Sequence, residues 1–117
     1  MKKAFLTFSI LLFLSCMHSN AYSQKVFPVQ YESQADIKVY VVDYESQADL
    51  KVFTVKYASQ ADEDGLWYFT DYESQADFTI YFVDYESQAD LTIYNVDYES
   101  QAGWNDKSKS WLLMKKY

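Results

Sequence analysis

The sequence contains one cysteine, one histidine, one proline and two glycines, and all ten of its basic residues are lysine. Each scarcity removes a class of protein. A single cysteine allows no internal disulfide, so a chain of 117 residues must hold one small domain together by packing alone. One cysteine and one histidine do not make the usual zinc ligand sets, and both fall in a leader-like segment discussed below. Without arginine there is no bidentate clamp for phosphate. A formal charge of -7 opposes binding to nucleic acid or anionic lipid.

The N-terminus has the layout of a secretory signal. Lys2 and Lys3 precede an apolar run from Ala4 to Leu14, too short to span a bilayer as a helix, and small and polar residues follow. Cleavage after Ser23, with Ala21 and Ser23 as the small residues, leaves a chain beginning at Gln24 and places the protein outside the cell or in the periplasm. The alternative takes Leu14, Ser15 and Cys16 as a lipobox and anchors a lipoprotein through Cys16. Removing residues 1–23 takes away Cys16 and His18, and with them any Cys or His nucleophile and base pair. Eight lysines then face 17 acids, a formal charge of -9.

The rest is dominated by one repeat. YESQA, or YASQA once, begins at Tyr31, Tyr44, Tyr57, Tyr72, Tyr85 and Tyr98, a 13-residue period with one two-residue insertion at Asp62 to Gly65. KVFPVQ, from Lys25 to Gln30, is an earlier partial unit matching KVYVVD, from Lys38 to Asp43. Overlaid units give core-like rows Ile37, Leu50, Gly65, Phe78, Leu91 and Val39, Val52, Trp67, Ile80, Ile93. An aromatic row follows: Tyr40, Phe53, Tyr68, Tyr81, Tyr94. A row without fixed character comes next, and then a β-branched row containing Val42, Val55 and Val96. β-Branched and aromatic residues with no 3.6-residue spacing predict strands, so the chain is all-β.

Two pairings fit this pattern. In a short-repeat β-solenoid, about six 13-residue coils stack and Val39 lies over Val52. Because 13 is odd, alternation breaks once per coil; if Tyr40 and Val41 both face out at a corner, then Val42, Tyr44, Ser46, Ala48 and Leu50 point inward. In the alternative, an antiparallel up-and-down β-meander or small barrel, ESQA segments are hairpin loops, although they lack the NG, DG or GG signals of tight hairpins. The segmentation is a signal over 1–23, a β-repeat domain over 24–103 and a C-terminal cap over 104–117. In the cap, Asp106 is placed to start a short helix, and Trp104, Trp111, Leu112 and Met114 to cover an open end of the repeat.

Candidate sites follow from what recurs and what breaks the recurrence. Carboxylates repeated in every unit share one environment, whereas acid and base catalysis needs a pair whose pKa values are split, so no catalytic residue is assigned and the chain is expected not to be an enzyme. Asp62, Glu63 and Asp64 crowd the insertion and are the candidate ligands for calcium, a hard cation that takes clustered oxygens. The series Tyr40, Phe53, Tyr68, Tyr81 and Tyr94 is the candidate binding surface, as a ladder of aromatic faces suited to sugar rings or partner side chains. Expected partners are glycans, basic protein surfaces or other copies of the chain, with no nucleic acid and no transmembrane segment in the mature chain.

The units IKVYVVDYESQAD and LTIYNVDYESQAG, the interrupted unit DEDGLWYFTDYESQAD and the terminal AGWNDKSKSWLLM resemble an uncharacterised family of short secreted bacterial proteins built from such 13-residue units, a domain of unknown function. The resemblance spans essentially the whole mature length and implies no activity, ligand or catalytic residue. A fainter likeness is to bacterial amyloid-forming secreted repeats, from which the period and the scarcity of glycine depart. The expected function is a non-enzymatic, structural or multivalent adhesion module at the cell envelope, the alternatives being a self-assembling, fibre-forming extracellular protein or a calcium-binding repeat protein.

Overall fold

The computed structural model describes residues 24–114. The leader-like segment with Cys16, and residues 115–117, lie outside the described residues. Seven strands run β1 Lys25–Pro28, β2 Ile37–Val41, β3 Leu50–Thr54, β4 Leu66–Phe69, β5 Phe78–Phe82, β6 Leu91–Asn95 and β7 Gly103–Trp104. Each YESQA or YASQA segment between them closes into one turn of 3-10 helix, such as Glu32–Gln34 and Glu45–Gln47. A run of Glu, Ser and Gln offers no apolar face to a sheet, so its backbone bonds itself locally. The Gln34 N–H donates to the Tyr31 carbonyl at 3.0 Å and the Ala35 N–H to that of Glu32 at 3.1 Å.

The strands form a closed ring in the order β4-β1-β5-β2-β6-β3, all parallel, with β3 pairing back onto β4. β7 adds antiparallel to the start of β3, at Leu50↔Trp104 and Lys51↔Gly103. The fold is therefore an all-β small parallel barrel. The solenoid expected from the repeat is corrected on one point of topology: consecutive units are not neighbours, except β3 and β4, which pair where the ring closes. Between β2 and β3 lies β6, and between β5 and β6 lies β2, so Val39 does not stack on Val52. The antiparallel pairing of a meander is likewise absent among the six ring strands.

The register explains how a 13-residue unit closes a ring. The third residue of one strand pairs with the first of the next strand around: Ile80 with Ile37, Val39 with Leu91, Ile93 with Leu50. This two-residue stagger keeps inward residues opposite inward residues, because side chains alternate with period 2. Repeated around the ring, it tilts the strands steeply enough for a small barrel to fill with side chains. Apart from Gly65, which has no side chain to contribute, the two expected core rows do fill it. Val26, Ile37, Val39, Leu50, Val52, Trp67, Phe78, Ile80, Leu91 and Ile93 form one cluster, closed at one end by Leu113. At roughly 25 cal/mol per Å² of apolar surface, each such side chain contributes about 1.5–3 kcal/mol.

β1, β2 and β3 make one circuit of the ring and β4, β5 and β6 a second, laid in the gaps of the first. Each connection must pass outside the strand it skips: the turn Glu32–Gln34 packs on β5, Glu45–Gln47 on β6 and Glu86–Gln88 on β2. The turns thus form an outer layer over the barrel. Beneath one of them Val55, Ala61 and Leu66 make a second small cluster with Phe53, Tyr68 and Ala102. The β-branched row and Ala48 are buried in this way, as the alternation expected. Tyr44 and Ser46, expected inward, are exposed instead, because the chain there is a turn and not a strand. No helix among the described residues is long and apolar enough to cross a membrane.

Candidate functional site

The repeated aspartate of QAD sits where each strand begins. A staggered strand leaves the N–H groups near its start unpaired on one side, and the neighbouring aspartate takes one of them. Asp36 accepts from the Thr79 N–H at 2.9 Å, Asp49 from Thr92 at 3.1 Å, Asp77 from Lys25 at 2.9 Å and Asp90 from Lys38 at 2.9 Å. The carboxylates form a collar around the end of the barrel where the strands start, rather than a stacked like-charge ladder. The two circuits differ in the residue before the central core position: lysine in Lys25, Lys38 and Lys51, threonine in Thr79 and Thr92. Thr79 and Thr92 are buried under turns, and their hydroxyls donate to the carbonyls of Gln34 and Gln47. Lys38 and Lys51 instead reach Glu32 and Glu45 of their own preceding turns, at 3.5 and 3.6 Å.

The insertion closes the ring. Gly65, at φ +95°, lets the chain pass so close to β3 that a Cβ there would lie 2.7 Å from the Lys51 carbonyl oxygen. The buried Gln24 accepts from the Gly65 N–H at 3.0 Å and donates to Asp64 Oδ1 at 2.6 Å. Asp64 Oδ2 accepts from the Trp104 indole at 2.7 Å. Of the candidate calcium ligands, Asp64 therefore uses both oxygens in joining the first described residue, the insertion and β7, while Asp62 and Glu63 are exposed. Among the described residues no group of three or more His, Cys, Asp or Glu side chains is placed to hold a metal ion.

The candidate binding series is half-buried and does not form one exposed ladder, and two of its members, Phe53 and Tyr68, pack on the second small cluster. Tyr68, Tyr81 and Tyr94 pair across strands with Lys25, Lys38 and Lys51, Tyr40 pairs with Thr92 and Phe53 with Leu66. A different aromatic set is presented to solvent: Tyr31, Tyr44, Tyr57, Tyr72, Tyr85 and Tyr98, the first residue of every turn segment, are each 64–68% exposed. Sequence reasoning missed them by continuing a strand through the turn. The signal was present after the tyrosine, because the residue two positions on is always a serine, as Ser46 is for Tyr44, so the apolar alternation that runs through Val42 stops there.

The C-terminal segment caps the collar end. Asn105 donates to the carbonyls of Glu45 and Ala48 at 2.9 and 3.0 Å, and Lys109 Nζ reaches Asp49 Oδ2 at 3.0 Å. A 3-10 helix, Lys107–Leu113, follows, with Asp106 accepting from the Ser108 N–H at its start. Those Ser108 hydrogen bonds, aided by the Lys109 charge, hold the Asp106 carboxyl below the ordinary aspartate value of 3.8. Leu113 enters the core and Trp104 and Leu112 pack against it, while Trp111 and Met114 remain exposed.

Comparison with curated proteins and with solved structures finds no match. One family model does match, described as the 7(1) septoil knot domain, over residues 23–105, which cover all seven strands and stop before the capping helix. A chain that circles its own axis twice, with the connections within each circuit crossing outside a strand of the other, suits a domain named for a knot, and this protein belongs to the septoil knot domain family.

Proposed function

We propose that the protein is a secreted, non-enzymatic module whose barrel serves as a rigid core for multivalent adhesion, with the tyrosine-bearing turns as the contacts and neutral glycans outside the cell as the ligand. The observation that carries this reading is the uniform exposure of Tyr31, Tyr44, Tyr57, Tyr72, Tyr85 and Tyr98. Tyrosine offers a flat apolar face for a sugar ring and a hydroxyl for its polar edge, and it loses little conformational entropy on binding. Six weak contacts on one rigid body act together, since after the first engagement the others bind at high effective concentration. The acidic surface disfavours anionic polymers and leaves neutral glycans as the better match. Ring closure also weighs against growth of a fibre by strand addition, because each ring strand already has a neighbour on both sides.

Affinity electrophoresis through gels containing a soluble neutral polysaccharide tests the proposal. Serine at one, three and six of these tyrosines should reduce retardation more steeply than in proportion to the number replaced. Unchanged retardation of the six-site variant would remove the turns from the function.

A further inference from the structure

A cavity of about 490 Å³ lies between the capping helix and the aspartate collar. Phe78, Trp111, Leu112 and Met114 give it apolar lining, and Asp36, Asp77 and Asp90 supply negative charge. It is built where the non-repeated segment meets the repeat, so its environment occurs once in the molecule. Trp111 and Met114 are 63% and 52% exposed at this place, in contrast to the adjoining Leu113, which is buried in the core. Asp36 and Asp90 each give one oxygen, Oδ2, to a backbone N–H of the neighbouring strand. Their Oδ1 atoms accept no hydrogen bond from a described residue, and neither carboxylate has a lysine within ion-pair distance among those residues. The equivalent collar residue at β3 shows what such a carboxylate takes when a partner is in reach: Lys109, coming from outside the repeat, places its ammonium 3.0 Å from Asp49.

We propose that this cavity receives the lysine side chain of a partner polypeptide. The aliphatic stem would lie along Phe78, Leu112 and Met114, and the ammonium would sit between Asp36 and Asp90 and beside the Trp111 indole. A cation close to an indole face and to two carboxylates gains from both, and the volume falls within the usual range for small-ligand sites. The site is distinct from the tyrosine turns and uses none of them.

The test titrates the chain, with residues 115–117 retained, with N-acetyl-lysine-N-methylamide, following tryptophan fluorescence and heat. Its norleucine counterpart keeps the stem without the ammonium. The lysine compound should saturate, bind about tenfold or more tightly than norleucine, and weaken with salt. Asp90→Asn, which preserves an acceptor for the Lys38 N–H but not its charge assistance, should lose about tenfold in affinity with a lowered thermal midpoint that still leaves the chain folded at the titration temperature, and Trp111→Ala should lose as much affinity with an unchanged thermal midpoint. Equal binding of norleucine, an unaffected Asp90→Asn variant, or no saturable binding would overturn the proposal. So would binding that appears only when Lys115 and Lys116 are changed to glutamine, since the chain's own tail would then be the competitor for the cavity. A short lysine-containing peptide should bind more tightly than free butylamine; the reverse order would assign the site to small amines and refute a polypeptide partner.

Discussion

Replacing Asp36 by alanine removes one carboxylate from the collar and leaves its neighbour strand with an unanswered donor. In the native protein Asp36 Oδ2 accepts from the Thr79 N–H at 2.9 Å, while the Asp36 N–H donates to the Thr79 carbonyl and hydroxyl oxygens, each at 3.0 Å. The latter two bonds use backbone atoms of residue 36 and survive the change. Thr79 is 9% exposed, so water reaches its freed N–H poorly. A buried donor left without an acceptor costs about 1–3 kcal/mol. With a urea slope of about 1–3 kcal/mol per molar for a domain of this size, a loss of about 2 kcal/mol lowers the unfolding midpoint by roughly 1 M. Asp36→Asn keeps an oxygen at the same place and should recover about half of the loss, the missing part being the charge assistance. Asp43 is the internal control: it is exposed and makes no hydrogen bond to a described residue, so Asp43→Ala should stay within about 0.5 kcal/mol. The assay is equilibrium urea unfolding, with refolding curves shown to coincide. Equal shifts for Asp36→Ala and Asp43→Ala would refute the collar argument.

Gly65→Ala should be the most damaging single methyl in the ring, since the new Cβ meets the Lys51 carbonyl oxygen at 2.7 Å and φ is +95°; a loss of about 2–4 kcal/mol is expected from overpacking plus strain, read as a lowered thermal midpoint. Gly103→Ala, at φ +138° with open space around its Cβ, should cost less than Gly65→Ala, and the reverse order would contradict the packing described at the insertion. Tyr44→Ser, at an exposed position, should leave stability within about 0.5 kcal/mol, so that any loss of glycan retention reports on binding alone. Because the Asp106 pKa is lowered in the folded chain, its contribution to the cap is fully present above the unfolded value and disappears as pH falls through the lowered one. The Ser108 amide resonance should therefore titrate below 3.8, and a midpoint at or above that value would show that the cap bond is not formed.

The strands themselves were legible in the sequence. Ile37 and Val39, and their counterparts in other units, recur two residues apart among β-formers, and they are core residues in the structure. The start of the capping helix was legible too, because an aspartate before a short lysine and serine run has the chemistry of an N-cap, and Asp106 holds the Ser108 N–H. The neighbours of each strand were not legible. A repeat that is nearly uniform presents the same face to the next unit and to units three or four further on, so periodicity cannot separate a stack of coils from an interleaved ring. The information resides in departures from the repeat: Lys38 and Lys51 in one circuit against Thr79 and Thr92 in the other, and the insertion that lets β4 close onto β3. Asp64 illustrates the same difficulty at the level of a site. In sequence it belongs to an acidic run suited to a cation, whereas its partners, Gln24 and Trp104, are each 40 residues away along the chain and come from outside the complete units.

Cysteine pairs distinguish interleaved strands from stacked coils most directly. With Cys16 removed, cysteines at Lys38 and Tyr81 occupy opposed positions on β2 and β5, whereas cysteines at Lys38 and Lys51 lie on strands separated by β6. Opposed residues on adjacent strands lie about 5 Å apart, within the span of a disulfide, and strands two places apart in a ring exceed it. Oxidation of the folded chain should cross-link the first pair rapidly and leave the second reduced. Rapid cross-linking of residues 38 and 51, with 38 and 81 left free, would mean that the units stack in sequence and would contradict the ring on which this account rests.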